Sequence, residues 1–148
     1  MVTETEYKRK LKIKKRQQIS FRRFVRGEAT PIQIRYFVGL NHWELKAWFE
    51  SRMLPNMTWD NYGSYWVVDH IVPFWLFDVD NDSDMKLLWH PDNLLPFILK
   101  DNNHKQGDLR FSLSLLKNRK EFSYAIEKLM EKVEKEIKVQ DKYLIIFS

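Results

Sequence analysis

Asp69 and His70 stand side by side in "WVVDHIVP", Asn93 follows about twenty residues later in "HPDNLLP", and Asn102 and Lys105 complete the set in "KDNNHK". An imidazole with its ordinary pKa of about 6.5 is largely neutral at physiological pH, so His70 is a candidate general base. Asp69 and Asn102 offer oxygen ligands, which suit a hard divalent ion such as Mg2+ or Mn2+ and leave coordination places open for water. Lys105, three residues after Asn102, shares a helical face with it and could reach an anionic oxygen, with a solvated surface lysine as the equal alternative. Taken singly, His70 reads first as a hydrogen-bonded strand histidine and Asn93 first as a turn residue before a strand.

The elements that must position these residues are legible in outline. Residues 5–26 contain few breakers and many good helix formers, which predicts a basic helix with Leu11, Phe21 and Phe24 as anchors. Thr30 and Pro31 read as the start of a short helix stopped by Gly39, with Gln33 in the capping-box place. Asn41 with Glu44 repeats the capping signal, and Leu45, Trp48, Phe49 and Met53 follow at helical spacing until Pro55. A turn-rich segment, 57–63, leads into β-branched and aromatic residues at 65–72, a predicted strand ended by Pro73. Consecutive strand residues face opposite ways, so Asp69 and His70 can share one site only if the backbone bends or ends there.

Asp78, Asp80, Asn81, Asp82 and Asp84 read as a loop between two strands, the second beginning near Asn93. The same run imitates the first half of an EF-hand calcium loop, but Ser83 stands where glycine is needed and Trp89 where the bidentate glutamate belongs. A short helix over 98–106, with Gly107 as its stop, completes a strand, strand, helix unit. Beyond Asp108, Leu115, Phe122, Ile126, Leu129, Val133 and Ile137 recur at helical spacing and predict one long amphipathic helix, followed by "YLIIFS" as a strand or docking tail.

A chain of 148 residues with 44% hydrophobic content is long enough for one compact domain. Twenty-five Lys and Arg against twenty Asp and Glu give a net charge of +5, an excess that suits a polyanionic partner. Its distribution is uneven: Lys8, Arg9, Lys10, Lys12, Lys14, Lys15, Arg16, Arg22, Arg23 and Arg26 fall in one stretch that contains no acid. The absence of cysteine excludes disulfide frameworks and paired-cysteine zinc knuckles, so no structural zinc is expected. No apolar leader and no apolar run of membrane-spanning length is readable, which predicts a soluble protein of the cytoplasm with no membrane partner.

The Asp-His pair, the two asparagines at this spacing, and the phrase "MTWDNYG" just upstream resemble the HNH, or ββα-metal, endonuclease family over roughly residues 40–106. The likeness is to its phage-type branch, with asparagine rather than histidine in the third place. The resemblance implies an α+β fold: a ββα-metal unit over 57–107, a basic helical arm over 1–28 before it, and a C-terminal helix and tail over 109–148. It implies a metal-dependent DNA endonuclease in which His70 is the base and Asp69 and Asn102 bind one divalent metal, with Asn at the third place favouring Mg2+. Asn93 would complete the catalytic set by fixing the imidazole or the hairpin loop. Phosphate contacts fall to Lys105 and, along the arm, to Lys8, Arg9, Lys12, Lys15, Arg16, Arg22 and Arg23. His104, two positions from Asn102, would point away from it on a helix; His90 reads as structural and His42 as a surface residue. The rival readings are a non-catalytic nucleic-acid-binding protein on the same fold and a helical protein that self-associates. The oligomeric state is open, a homodimer among the options, and no recognition module for bases is readable.

Overall fold

The computed structural model describes residues 2–30, 32–102 and 108–147, the side chains of Asp101, Asn102 and Phe147 excepted. Its elements run α1 (Glu4–Val25), α2 (Ile32–Val38), α3 (His42–Glu50), β1 (Trp66–His70), α4 (Asp82–Leu88), β2 (Leu94–Ile98), α5 (Leu99–Asn102), α6 (Leu109–Lys117) and α7 (Tyr124–Phe147). Helices dominate, and the two strands form one antiparallel sheet, so the architecture is α+β.

The helix starts follow local chemistry. Thr3 and Glu6 close a capping box on α1, and Asn41 and Glu44 close another on α3, with Glu44 N donating to Asn41 Oδ1 over 2.8 Å. Gly39 takes φ +76° just past α2, where a side chain would be strained, and stops that helix as expected. Helix α3 ends at Glu50, short of Met53, because the Ser51 hydroxyl and the Arg52 guanidinium both turn back onto the Trp48 carbonyl.

Helix α1 is not a detached arm. Its outer face is basic, but Gln17, Phe21, Phe24 and Val25 are buried. Phe21 stacks on Trp89 at 5.0 Å and meets Phe49 edge-on at 6.3 Å. The core continues through Ile34, Phe37, Leu45, Val72, Phe77, Met85, Leu88 and Leu94 to Leu116, Ile126, Leu129 and Val133. Leu11, expected as an anchor, is 38% exposed instead.

In the sheet, Trp66 pairs with Ile98, Asp69 with Leu95 and His70 with Leu94. Pro96, in β2, sits opposite Val68; in a two-stranded sheet each strand has an open edge, so a residue without an N–H is tolerated.

Three segments differ from expectation. The Asp-rich loop is in part a helix: Asn81 caps α4 by accepting from Asp84 N over 3.0 Å, and Asp84 Oδ2 accepts from Asp78 N over 2.7 Å. Short acidic side chains that mimic a calcium loop are also what a helix N-terminus favours, and Met85 and Leu88 bury the opposite face. The single long helix expected beyond Asp108 is two helices, α6 and α7. Asp108 caps the first, while Ser123 accepts from Ile126 N and donates to Asp92, which restarts the chain in a new direction. Phe122 is therefore 71% exposed rather than core. The described part of the "YLIIFS" segment, 143–147, is the end of α7, not a strand.

Candidate functional site

Strand β1 ends at His70, and that ending is what allows Asp69 and His70 to line one cleft despite their alternation. The chain is held at this point by Asn93. Ile71 N donates to the Asn93 carbonyl over 2.7 Å and Val72 N to Asn93 Oδ1 over 2.8 Å, while the Asn93 amide donates to the carbonyls of Val72 and Leu88 at 3.3 and 3.0 Å. Asn93 is fully buried. Of the two roles considered for it, these bonds are those of a clamp on the hairpin loop, and none of them reaches the imidazole.

The Asp69 carboxylate is about one-fifth exposed, and its Oδ1 accepts from His70 N over 2.8 Å. His70 Nδ1 stands 4.0 Å from the same oxygen, and the His70 side chain is 10% exposed. Nε2 is buried without a hydrogen-bond partner among the described residues. Behind the ring, Trp89 meets it edge-on at 4.6 Å, and the Trp89 indole N–H donates to Gln17 of α1 over 2.8 Å. Burial pushes the His70 pKa down to about 4; the Asp69 charge opposes this shift and Lys14 adds to it. Above that pH the imidazole is neutral with a free lone pair, the form a general base needs.

The cleft in front of the pair holds about 560 Å³. One wall is α1, through Tyr7, Lys10, Leu11, Lys14 and Gln18; Phe74, Trp75, Phe97 and Phe111 supply an aromatic lining. Lys10 and Lys14 lie over the Phe74 ring at 5.7 and 5.8 Å. Lys10 also donates to the carbonyls of Trp75 and Phe77, at 3.2 and 2.8 Å, and burial lowers its pKa. Tyr7, Lys10, Leu11, Lys14 and Gln18 recur at threes and fours, so this wall is a helical face that periodicity alone could have isolated from the rest of the basic run.

The other expected phosphate contacts divide. Arg9 is taken up by Asp80 in a two-pronged pair at 2.6 and 2.9 Å, Lys8 pairs with Glu4 at 2.9 Å, and Arg23 lies 3.9 Å from Glu28. Lys12, Lys15, Arg16 and Arg22 are exposed on the outer face of α1, and no ion pair engages them among the described residues. Lys105 and His104 lie outside the described residues, and Asn102 is described only as the backbone end of α5, directly after β2.

Among the described residues no three His, Asp or Glu side chains gather as a metal-binding group. Asp69 is the described member of the expected ligand pair. Its carboxylate lines the cleft, its Oδ2 accepts no hydrogen bond from a described residue, and His70 Nδ1 lies 4.0 Å from its Oδ1. That donor chemistry fits a hard ion held largely by water.

The remaining histidines are accounted for. His90 Nδ1 accepts from Asp92 N over 3.0 Å and caps the short turn Pro91–Asn93, a structural role as expected. His42, expected at the surface, is half-buried: its Nδ1 lies 3.0 Å from the Phe24 carbonyl and its ring lies against Gly27, which ties α3 to the end of α1. No helix among the described residues is long and apolar enough to cross a membrane.

No protein-family model matches the sequence, and no solved structure matches it. The chain is similar to an uncharacterized protein of Acanthamoeba polyphaga mimivirus, 29% identical over 73 residues. That stretch is 49% of this chain and 32% of the viral protein, so the match spans about a third of the relative's length.

Proposed function

We propose that this chain is a metal-dependent DNA endonuclease of the HNH type. The observation that carries the proposal is the meeting of Asp69 and a desolvated, neutral His70 at the end of β1, in one cleft walled by a basic helix. The antiparallel pairing of β1 with β2, with α5 directly after β2, supports that reading, and α4 occupies the connection between the strands.

Phosphodiester hydrolysis requires an activated water, stabilisation of charge on the phosphate and help for the leaving oxygen. His70 takes the water's proton at Nδ1, the nitrogen beside Asp69, while Trp89 and Gln17 hold the ring from behind. Asp69, with Asn102 as the second expected ligand, would hold one Mg2+ or Mn2+, which supplies charge stabilisation for the phosphate and the leaving oxygen. Lys14 presents a cation at the cleft, and Asn93 fixes the loop on which the pair depends. The exposed stripe of Lys12, Lys15, Arg16 and Arg22 offers phosphate contacts that carry no base information.

The test is plasmid cleavage by the purified chain. Activity in Mg2+ should vanish in EDTA and return on adding Mg2+ or Mn2+, and Asp69→Ala should weaken metal dependence and cleavage together. Full cleavage in EDTA would remove the metal from the reading. DNA binding without cleavage in any divalent metal would favour the non-catalytic alternative, which the basic face of α1 supports independently.

A further inference from the structure

Five of the fifteen residues that line the cleft are aromatic, and duplex DNA has no use for that. In a duplex the base faces are stacked on one another, so a protein meets phosphates and groove edges; aromatic rings contribute by stacking only when bases are unpaired. Trp75 is 47% exposed and Tyr7 58% exposed, and both line the cleft beside His70, with Phe97 and Phe111 in the same lining. Lone exposed aromatics are ordinary on a protein surface, but here they share a concave site with Lys14. A volume of about 560 Å³ is within the range that takes a small organic ligand, so the site has room for a base turned out of the stack.

We infer that the cleft takes an unpaired DNA strand, with one or more bases against Trp75 and Tyr7 and the adjoining phosphate at Lys14, in preference to continuous duplex. The inference rests on the reading of this cleft as the substrate site. It narrows the substrate to single-stranded DNA or to strand ends, gaps and mismatched positions, where unstacking costs least. Charge complementarity supports the same occupant. The outer face of the same helix carries Lys12, Lys15, Arg16 and Arg22, exposed, and offers phosphate contacts to a strand that extends beyond the aromatic lining.

The experiment measures binding of the full chain to a fluorescein-labelled oligonucleotide, single-stranded and as its duplex, by anisotropy in EDTA at one salt concentration. The single strand should bind more tightly. Trp75→Ala should weaken single-strand binding by roughly 5- to 150-fold, the scale of one stacked base, and change duplex binding little. Trp75→Phe should restore most of the loss, which a variant damaged in folding would not do. Equal or tighter duplex binding, or an equal effect of Trp75→Ala on both forms, overturns the inference, and duplex cleavage in Mg2+ would then leave the endonuclease reading intact. Trp75-dependent single-strand binding with no cleavage of any substrate supports the strand site while the hydrolytic reading falls.

Discussion

His70 beside Asp69 and His90 beside Asp92 place similar groups at similar separations, 4.0 and 3.6 Å, yet the chain completes one pair and leaves the other open. Around His90 the pair is tied into the fold: Nδ1 accepts from Asp92 N, Asp92 Oδ2 accepts the Ser123 hydroxyl over 2.6 Å, and Arg119 donates to the Asp92 carbonyl. Burial lowers the pKa of His90 as well, with Asp92 opposing, but the result is a staple between the turn before β2 and the start of α7. Around His70 the imidazole is more deeply buried, Nε2 has no partner among the described residues, and Asp69 faces a cleft. A buried polar atom left unpaired costs stability, on the order of 1 to 3 kcal/mol. What separates a site from a staple here is that uncompensated group, not the presence of a histidine and an aspartate.

The largest effect on the fold should come from the clamp that the two regions share. Asn93→Ala leaves Val72 N and two carbonyls short of partners in a buried place and should lower stability by about 2 to 4 kcal/mol, read by urea denaturation. Cleavage should fall with it even in conditions where the variant is folded, since the end of β1 is no longer held. A variant as stable as the parent would mean that these bonds are not what positions Asp69 and His70.

The pH dependence of stability sharpens the comparison. The folded pKa of His70, about 4, lies below its ordinary 6.5, so the unfolded chain binds the proton first. In EDTA, stability should therefore fall as the pH drops from about 6.5 toward about 4, and His70→Asn should flatten that slope more than His90→Asn does. Equal flattening by both would make the two histidines equivalent in burial.

A smaller effect concerns the outer face of α1, which has the staple's abundance of charge but few of its partners. Replacing Lys12, Lys15 and Arg16 with Gln should flatten the slope of log affinity against log salt by about 0.9 per lost contact on duplex DNA, and by about 0.7 on a single strand. Folding should be untouched because all three are exposed. An unchanged slope would leave those charges to solubility alone.

Much of this comparison was legible in the sequence, and for definable reasons. The capping residues Asn41 and Glu44 and the stop at Gly39 rest on interactions a few residues long, and the strand around Asp69 on a β-branched and aromatic run, so local pattern finds them. The Asp69–His70 pair and the structural role of His90 were readable from spacing to the turn at Asn93. The cleft wall has only a periodic signal: Tyr7, Lys10, Leu11, Lys14 and Gln18 share one helical face, but Lys10 and Lys14 sit in a run of similar cations, and tertiary packing is what distinguishes the inward face. The break between α6 and α7 was missed for a related reason: Leu115 and Phe122 sit at a helical interval by coincidence, and the hydrogen bond that ends the pattern is made by Ser123 to Asp92, far away in sequence. The Asp-rich run failed in the opposite way, since ligand-like and cap-like aspartates are the same side chains.

The central claim, that His70 is the reactive member of the two pairs, is tested most directly by measuring cleavage with His70→Ala and His90→Ala side by side. DNA should be saturating, Mg2+ present and both variants shown to be folded. The account predicts that His70→Ala loses about two to four orders of magnitude in rate, the usual scale for a general base, while His90→Ala keeps the parent's rate and loses only about 1 kcal/mol of stability. Near-parental cleavage by folded His70→Ala, or an equal loss in folded His90→Ala, would contradict it.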